Sequence, residues 1–197
     1  QTLQRLDLVY PCFLSRKELA EILTAPHGHP DPAGVRNTDK LLTHNEQQRR
    51  ATSGTAAAWR LRMNKAKQSA DARLTWHDHL TGTHRITPEI FGDAVIARGD
   101  IGVSYHLAVV VDDALDHISL VTRGIDLAPS THLHRLLQAL LGLPAPVYLH
   151  HELVRDAAGK RLAKRDDAES ITQLRDNGLD QNDLIGTLPA MPGPLII

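Results

Sequence analysis

Residues 105–127 read YHLAVVVDDALDHISLVTRGIDL. Tyr105 opens an apolar run, Leu107 to Val111, that ends in Asp112 and Asp113, and a second run, Ile118 to Val121, delivers Arg123 directly onto Gly124. Periodicity alone leaves Tyr105 to Ala114 open between helix and strand, because a short apolar run suits either. The pattern does place two recognition groups at element ends. A guanidinium is a planar fork of donors that matches a carboxylate, and a tyrosine hydroxyl adds a hydrogen bond from a stiff stem, so the pair suits a small acidic molecule. Taken singly, each has a plainer reading: a buried tyrosine and an arginine in a surface ion pair.

Working outward toward the carboxyl end, Ser130 or Thr131 is expected to cap a helix carrying leucines at 133, 136, 137, 140 and 141, stopped by Gly142 and Pro144. Residues 159–165 then read GKRLAKR, a glycine-started loop with four cations and one large apolar anchor, which suits phosphate. Asp166 and Asp167 follow at once, so a solvated basic turn is the plain alternative.

The succession YHLAVVVDDA, then VTRGIDL with its arginine eighteen positions after the tyrosine, then RLAKR in the place of KLSKR, resembles the second half of the class I glutamyl-type aminoacyl-tRNA synthetase core. It is most similar to the truncated branch of that family, the glutamyl-queuosine tRNA(Asp) synthetases, and the likeness runs in family order from about Tyr10 to Gly178. The resemblance implies an α/β fold, the second half of a Rossmann-like core with a small α+β insert, and it implies that Tyr105 to Ala114 is helix. Residues 1–97 would hold the end of the first half-core and the insert; residues 98–197 would hold the second half-core. By the same resemblance Tyr105 and Arg123 contact glutamate. Lys164, within the motif Arg161-Leu162-Ala163-Lys164-Arg165, contacts the ATP phosphates and is the catalytic group.

The motif departs from the family twice. Arginine for the first lysine keeps the charge, whereas alanine for serine loses a hydroxyl donor. The implied activity is ATP-dependent activation of L-glutamate, with magnesium accompanying ATP, and transfer of glutamate to the queuosine base of tRNA(Asp), without a covalent enzyme intermediate. The choice of the truncated branch rests on the thirty-two residues that follow Arg165, too few for an anticodon-binding domain. The half of the core that carries the HIGH signature is absent, so the chain is read as a fragment that does not activate glutamate alone. Two rivals stand beside this reading: a degenerate, non-catalytic synthetase-like module that binds glutamate or tRNA, and a fragment of a discriminating glutamyl-tRNA synthetase.

Toward the amino end the signals are local. Leucines at 3, 6 and 8 fit the end of an amphipathic helix, and Tyr10 to Leu14 reads as an extended connector. Ser15-Arg16-Lys17-Glu18 and Thr43-His44-Asn45-Glu46 both fit capping boxes that start helices. Three prolines and two glycines make residues 26–34 a loop. Within it His27-Gly28-His29 shares letters with HIGH, but Pro30 follows where a helix would have to begin. Alternating Trp59, Leu61 and Met63 read as a strand with Arg60 and Arg62 on its other face, and short strands are expected at 74–77, 84–86 and 93–97.

Of 197 residues, 42% are hydrophobic and 23% charged, enough for a compact core, and a net charge of −1 gives no global basic signal for nucleic acid. The single cysteine, Cys12, excludes an internal disulfide. The family's zinc site uses a C-x-C pair. Here Leu14 replaces the second cysteine, and Cys12 with His27 and His29 falls short of four donors, so neither zinc nor any other metal held by the protein is expected. The twelve histidines read mostly as surface residues. Gly102-Val103-Ser104-Tyr105-His106 stops short of G-x-S-x-G, which removes a serine hydrolase. Apolar runs are too short to span a membrane, and a cytoplasmic monomer is expected. The closing MPGPLII has no reading.

Overall fold

A computed structural model describes residues 1–24, 35–100, 102–155 and 170–186. In chain order the elements are α1 (Thr2–Arg5), β1 (Val9–Cys12), α2 (Arg16–Thr24), α3 (His44–Thr52), β2 (Ala58–Leu61), α4 (Met63–Ser69), β3 (Thr75–Asp78), β4 (Gly82–Arg85) and β5 (Val95–Arg98). They continue with β6 (Gly102–Val103), α5 (Tyr105–Leu115), β7 (Leu120–Gly124), α6 (Ala128–Leu141), β8 (Val147–His151), α7 (Ile171–Asp176) and α8 (Gln181–Gly186).

Side-chain caps start several of the helices. The Ser15 hydroxyl accepts from the Glu18 amide at 3.2 Å while the Ser15 amide donates to Glu18 Oε2 at 2.7 Å, a reciprocal box that opens α2. Thr43 accepts from the Glu46 amide at 3.3 Å to open α3. Gly142, at φ 67°, ends α6 in the left-handed region that glycine enters without a Cβ penalty.

The strands form two sheets, ordered β1-β2-β5-β6 and β4-β3-β8-β7. The first is antiparallel throughout. In the second, the β3–β4 hairpin is antiparallel, whereas β3 pairs β8 and β8 pairs β7 in parallel. Each sheet draws strands from both sides of residues 97/98.

Several boundaries differ from expectation, each for a local reason. Residues 9–12 are an edge strand rather than a connector, in register with β2 from Val9 opposite Leu61 to Cys12 opposite Ala58; an edge tolerates Pro11. Met63 begins α4 instead of ending a strand, and its amide is taken by Asp93 Oδ1 at 2.9 Å. The strand expected at 118–121 lies at 120–124, so Arg123 is inside it. Helix α6 starts at Ala128, ahead of Ser130 and Thr131, because Pro129 sits in the first turn, where a missing N–H costs no bond. Strand β8, after Pro144-Ala145-Pro146, was not foreseen.

Helix α6 is buried on two sides. Leu133, Leu136 and Leu137 enter a core with Leu3, Leu8, Val9, Leu61, Met63 and Ile96 from the first sheet and its helices. The stripe Thr131, His134 and Gln138, spaced i, i+3, i+7, is equally buried and hydrogen-bonds to side chains of the second sheet. That polar seam holds the candidate site.

Candidate functional site

Parallel pairing sets Arg123 opposite His150 and Val121 opposite Tyr148, and β3 adds Asp78 opposite Tyr148. Alternation along a strand puts Tyr148 and His150 on one face, and Trp76 with Asp78 likewise. Arg123 is 8% exposed. It donates through Nε to His150 Nε2 at 3.1 Å, through Nη1 to His134 Nδ1 at 3.3 Å and through Nη2 to the Thr131 hydroxyl, and it stands 5.2 Å from the centre of the Tyr148 ring.

Donor and acceptor arithmetic then fixes the imidazoles. His150 Nδ1 lies 2.6 Å from Asp78 Oδ2, so Nδ1 carries the proton and Nε2 is the acceptor that Arg123 requires and that the Thr131 hydroxyl, at 3.2 Å, can also use. His134 accepts from Arg123 on Nδ1, so its Nε2 donates to His106 Nδ1 at 3.0 Å. Burial and the Arg123 charge push His134 down to about 3 and lower His106 as well. Burial also lowers His150 against the opposing pull of Asp78. All three rings are neutral at pH 7. Burial raises the Asp78 carboxyl, but bonds from His150 and from the Leu80 and Thr81 amides outweigh it and hold the group ionised.

Arg123 is therefore a buried cation whose hydrogen-bond partners are all neutral: among the described residues no carboxylate pairs with it. An arginine has five N–H donors and three are used, which leaves one on each terminal nitrogen. Burying a charge without an opposite charge is costly, and a carboxylate ligand offsets that cost with charge-assisted bonds.

Tyr105 is the first residue of α5 and 53% exposed, and among the described residues its hydroxyl makes no hydrogen bond. Its ring centre is 5.8 Å from that of His134, the imidazole that also accepts from Arg123. The two residues singled out in the sequence thus meet at His134 rather than touching. Arg161, Leu162, Ala163, Lys164 and Arg165 lie outside the described residues, as do His27 and His29. Cys12 is buried among Tyr10, Leu14 and Leu19.

Two histidines are exceptions to the surface reading: His134 is 2% and His150 4% exposed, so both belong to the interior. Asp78, Thr131, His134 and His150, which surround Arg123, were not singled out from the sequence. A signal existed for each half of the seam, the polar i, i+3, i+7 spacing in α6 and the alternation of Trp76 with Asp78, but neither half shows that the other faces it.

Residues 3–190 match the family model described as tRNA synthetases class I (E and Q), catalytic domain. Similar curated proteins include one named glutamyl-Q tRNA(Asp) synthetase from Rhodobacter capsulatus, 42% identical over 183 residues, which covers 90% of this chain and 65% of the relative. A protein of the same name from Nocardia farcinica is 37% identical and is matched over 94% of this chain and 56% of its own length. The chain thus spans between half and two thirds of these relatives. Among solved structures, a glutamate tRNA ligase from Elizabethkingia meningosepticum, in complex with its amino acid, superposes with a TM-score of 0.64 at 24% identity, over 90% of this chain and 34% of that one. That likeness speaks to fold alone, and it agrees with the mixed sheet and its flanking helices. With the match running through both sheets and the seam between them, the chain belongs to the class I tRNA synthetase (E and Q) catalytic-domain family.

Proposed function

We propose that this chain supplies the second half of a catalytic core that activates glutamate with ATP and transfers it to the queuosine base of tRNA(Asp). One observation carries the amino-acid half of this reading: a buried guanidinium held by three neutral partners, with no protein carboxylate on it among the described residues. The names of the similar proteins support the choice of tRNA(Asp).

In this reading Arg123 holds a carboxylate of glutamate and the free Tyr105 hydroxyl adds a hydrogen bond. A glutamate carboxylate oxygen attacks the α-phosphorus of ATP, the bond to the β-phosphate breaks, and pyrophosphate leaves; transfer to tRNA then displaces AMP. Lys164, with Arg161 and Arg165 of the same motif, stabilises charge growing on the leaving pyrophosphate, and magnesium bound to the phosphates shares that task. One preorganised donor of this kind is worth about 3 kcal/mol. Residues 1–97 act as the end of the first half-core with its insert, and residues 98–197 as the second half-core. The working form is a cytoplasmic monomer.

The test is glutamate-dependent exchange of labelled pyrophosphate into ATP by the natural protein, with whatever residues precede Gln1, followed by attachment of labelled glutamate to tRNA(Asp). Exchange lost in Lys164→Ala and attachment that requires queuosine are the expected results. Binding of glutamate or tRNA without exchange overturns the reading in favour of a non-catalytic module, and attachment to tRNA(Glu) overturns the queuosine assignment.

A further inference from the structure

We propose that Asp78, on the β3–β4 hairpin, is a positioning residue for Arg123 and acts through the tautomer of His150. The inference rests on the reading of Arg123 as the carboxylate-binding group. Asp78 is 1% exposed and uses both oxygens as acceptors. Oδ1 takes the Leu80 and Thr81 amides at 2.9 and 3.1 Å, and Oδ2 takes the His150 amide at 3.1 Å and its Nδ1 proton at 2.6 Å. With the Nδ1 proton committed to Asp78, His150 presents a bare Nε2 to Arg123 Nε and to the Thr131 hydroxyl. The opposite tautomer would aim an N–H at Arg123 Nε, which can only donate, and so release the Nε edge of the guanidinium; the Thr131 oxygen, which accepts from Nη2, could turn to accept from the ring as well. Asp78 touches neither Arg123 nor any group that would reach substrate, so its effect on binding has to pass through the ring.

This arrangement makes the hairpin part of the amino-acid site. Tyr148 stacks on His150 with ring planes 8° apart, and Trp76 meets His150 edge-on at 5.6 Å, so the ring swings little and only its protonation pattern is left to set. An asparagine at 78 has the same shape but keeps one acceptor oxygen and gains an N–H₂. If the amide nitrogen faces His150, Nδ1 becomes the acceptor and the proton moves to Nε2. In the serine-protease triad, replacing the aspartate beside the histidine by asparagine leaves the geometry intact and gives the wrong tautomer, the outcome expected here.

The experiment uses the natural protein and two measurements. Nitrogen-detected NMR of the histidine rings reads the tautomer directly: Nδ1–H for His150 in the wild type and Nε2–H in Asp78→Asn, with thermal unfolding confirming that the variant folds. Pyrophosphate exchange reads the consequence: Asp78→Asn raises the glutamate KM about 10- to 100-fold, the scale of losing a group that orients a ligand-binding side chain, with the ATP KM unchanged. In a His150→Gln background, where the amide oxygen accepts from Arg123 without help, Asp78→Asn adds nothing further. An unchanged His150 tautomer in Asp78→Asn, or an equal penalty in both backgrounds, overturns the proposal. If the tautomer switches and Arg123→Lys leaves the glutamate KM unaltered, the fault lies with the reading of Arg123 and the relay itself stands.

Discussion

Two arginines in this molecule are bound by three contacts each, and they end in opposite electrostatic states. Arg50, on α3, donates to Glu46 Oε1 at 2.7 Å, to Glu18 Oε1 at 2.8 Å and to the Phe13 carbonyl at 3.0 Å; two carboxylates surround one cation, and Arg50 and Glu18 line a 620 Å³ cleft. Arg123 meets two imidazoles and a hydroxyl in the interior. The first guanidinium has its charge answered within the fold and fastens α3 to α2. The second has neutral partners only, among the described residues. Number of contacts does not separate the two arginines; the charge of the partners does, and on that difference rests the proposed role of Arg123.

The comparison breaks most readily at Arg123 itself. Arg123→Lys in the natural protein should raise the glutamate requirement in pyrophosphate exchange by about 30-fold or more, since removing one partner of a desolvated charge pair costs about 2 to 5 kcal/mol. Arg50→Lys should leave that requirement where it was, and equal shifts in the two variants would erase the distinction. Gly124 offers a smaller probe of the same end of β7. A Cβ there would stand 2.6 Å from Asp126 Oδ1 and 2.8 Å from Leu153 Cδ2, both ends of rotatable side chains. Gly124→Ala should therefore destabilise by only about 1 kcal/mol in urea unfolding, the low end of overpacking costs. A larger loss would mean that the turn after Arg123 cannot give.

The neutral surroundings of Arg123 also have a pH signature. His134 falls to about 3 in the folded state from an ordinary 6.5, so protons favour the unfolded chain and stability drops as pH falls from about 6.5 toward about 3. His134→Gln should flatten that slope in a series of thermal midpoints, and an unchanged slope would assign it elsewhere. The Arg50 cluster runs on a lower window. Arg50 leads the causes that hold Glu18 at about 2, and Arg49 with Arg50 does the same for Glu46, against an ordinary 4.5. This contribution is complete above pH 4.5 and is lost as pH falls through about 2. The midpoint difference between wild type and Arg50→Ala should be small, for a pair this near solvent, and should shrink over that window.

The Arg50 cluster was half legible in the sequence, because Ser15 with Glu18 and Thr43 with Glu46 are signals spanning three residues. Tyr105 and Arg123 were legible only through a family pattern, and their helix and strand came with it. What stayed hidden is non-local. Val147 to His151 carries two histidines and sits behind two prolines, so nothing in it announces a central strand, and without β8 there is no reason to bring Asp78 near Arg123. The alternation of Trp59, Leu61 and Met63 misled for the converse reason: a period of two continued by chance across the junction where Asp93, from thirty residues away, captures the Met63 amide and turns the chain into α4. Buried polar residues in α6 look like a solvent face until the sheet that covers them is known.

The β7–α6–β8 unit has a consequence in time. Arg123, Thr131, His134 and His150 all lie within one compact stretch of chain, so the frame around the guanidinium can close early, whereas Asp78 joins its histidine across 72 positions. Closing a loop of that length costs on the order of 4 kcal/mol of chain entropy before any contact repays it. The hairpin should accordingly dock after the folding transition state, and Asp78→Ala should speed unfolding while leaving the refolding rate nearly constant in stopped-flow experiments. On that order of events the cage around the arginine would close before Asp78 arrives to fix the proton of His150.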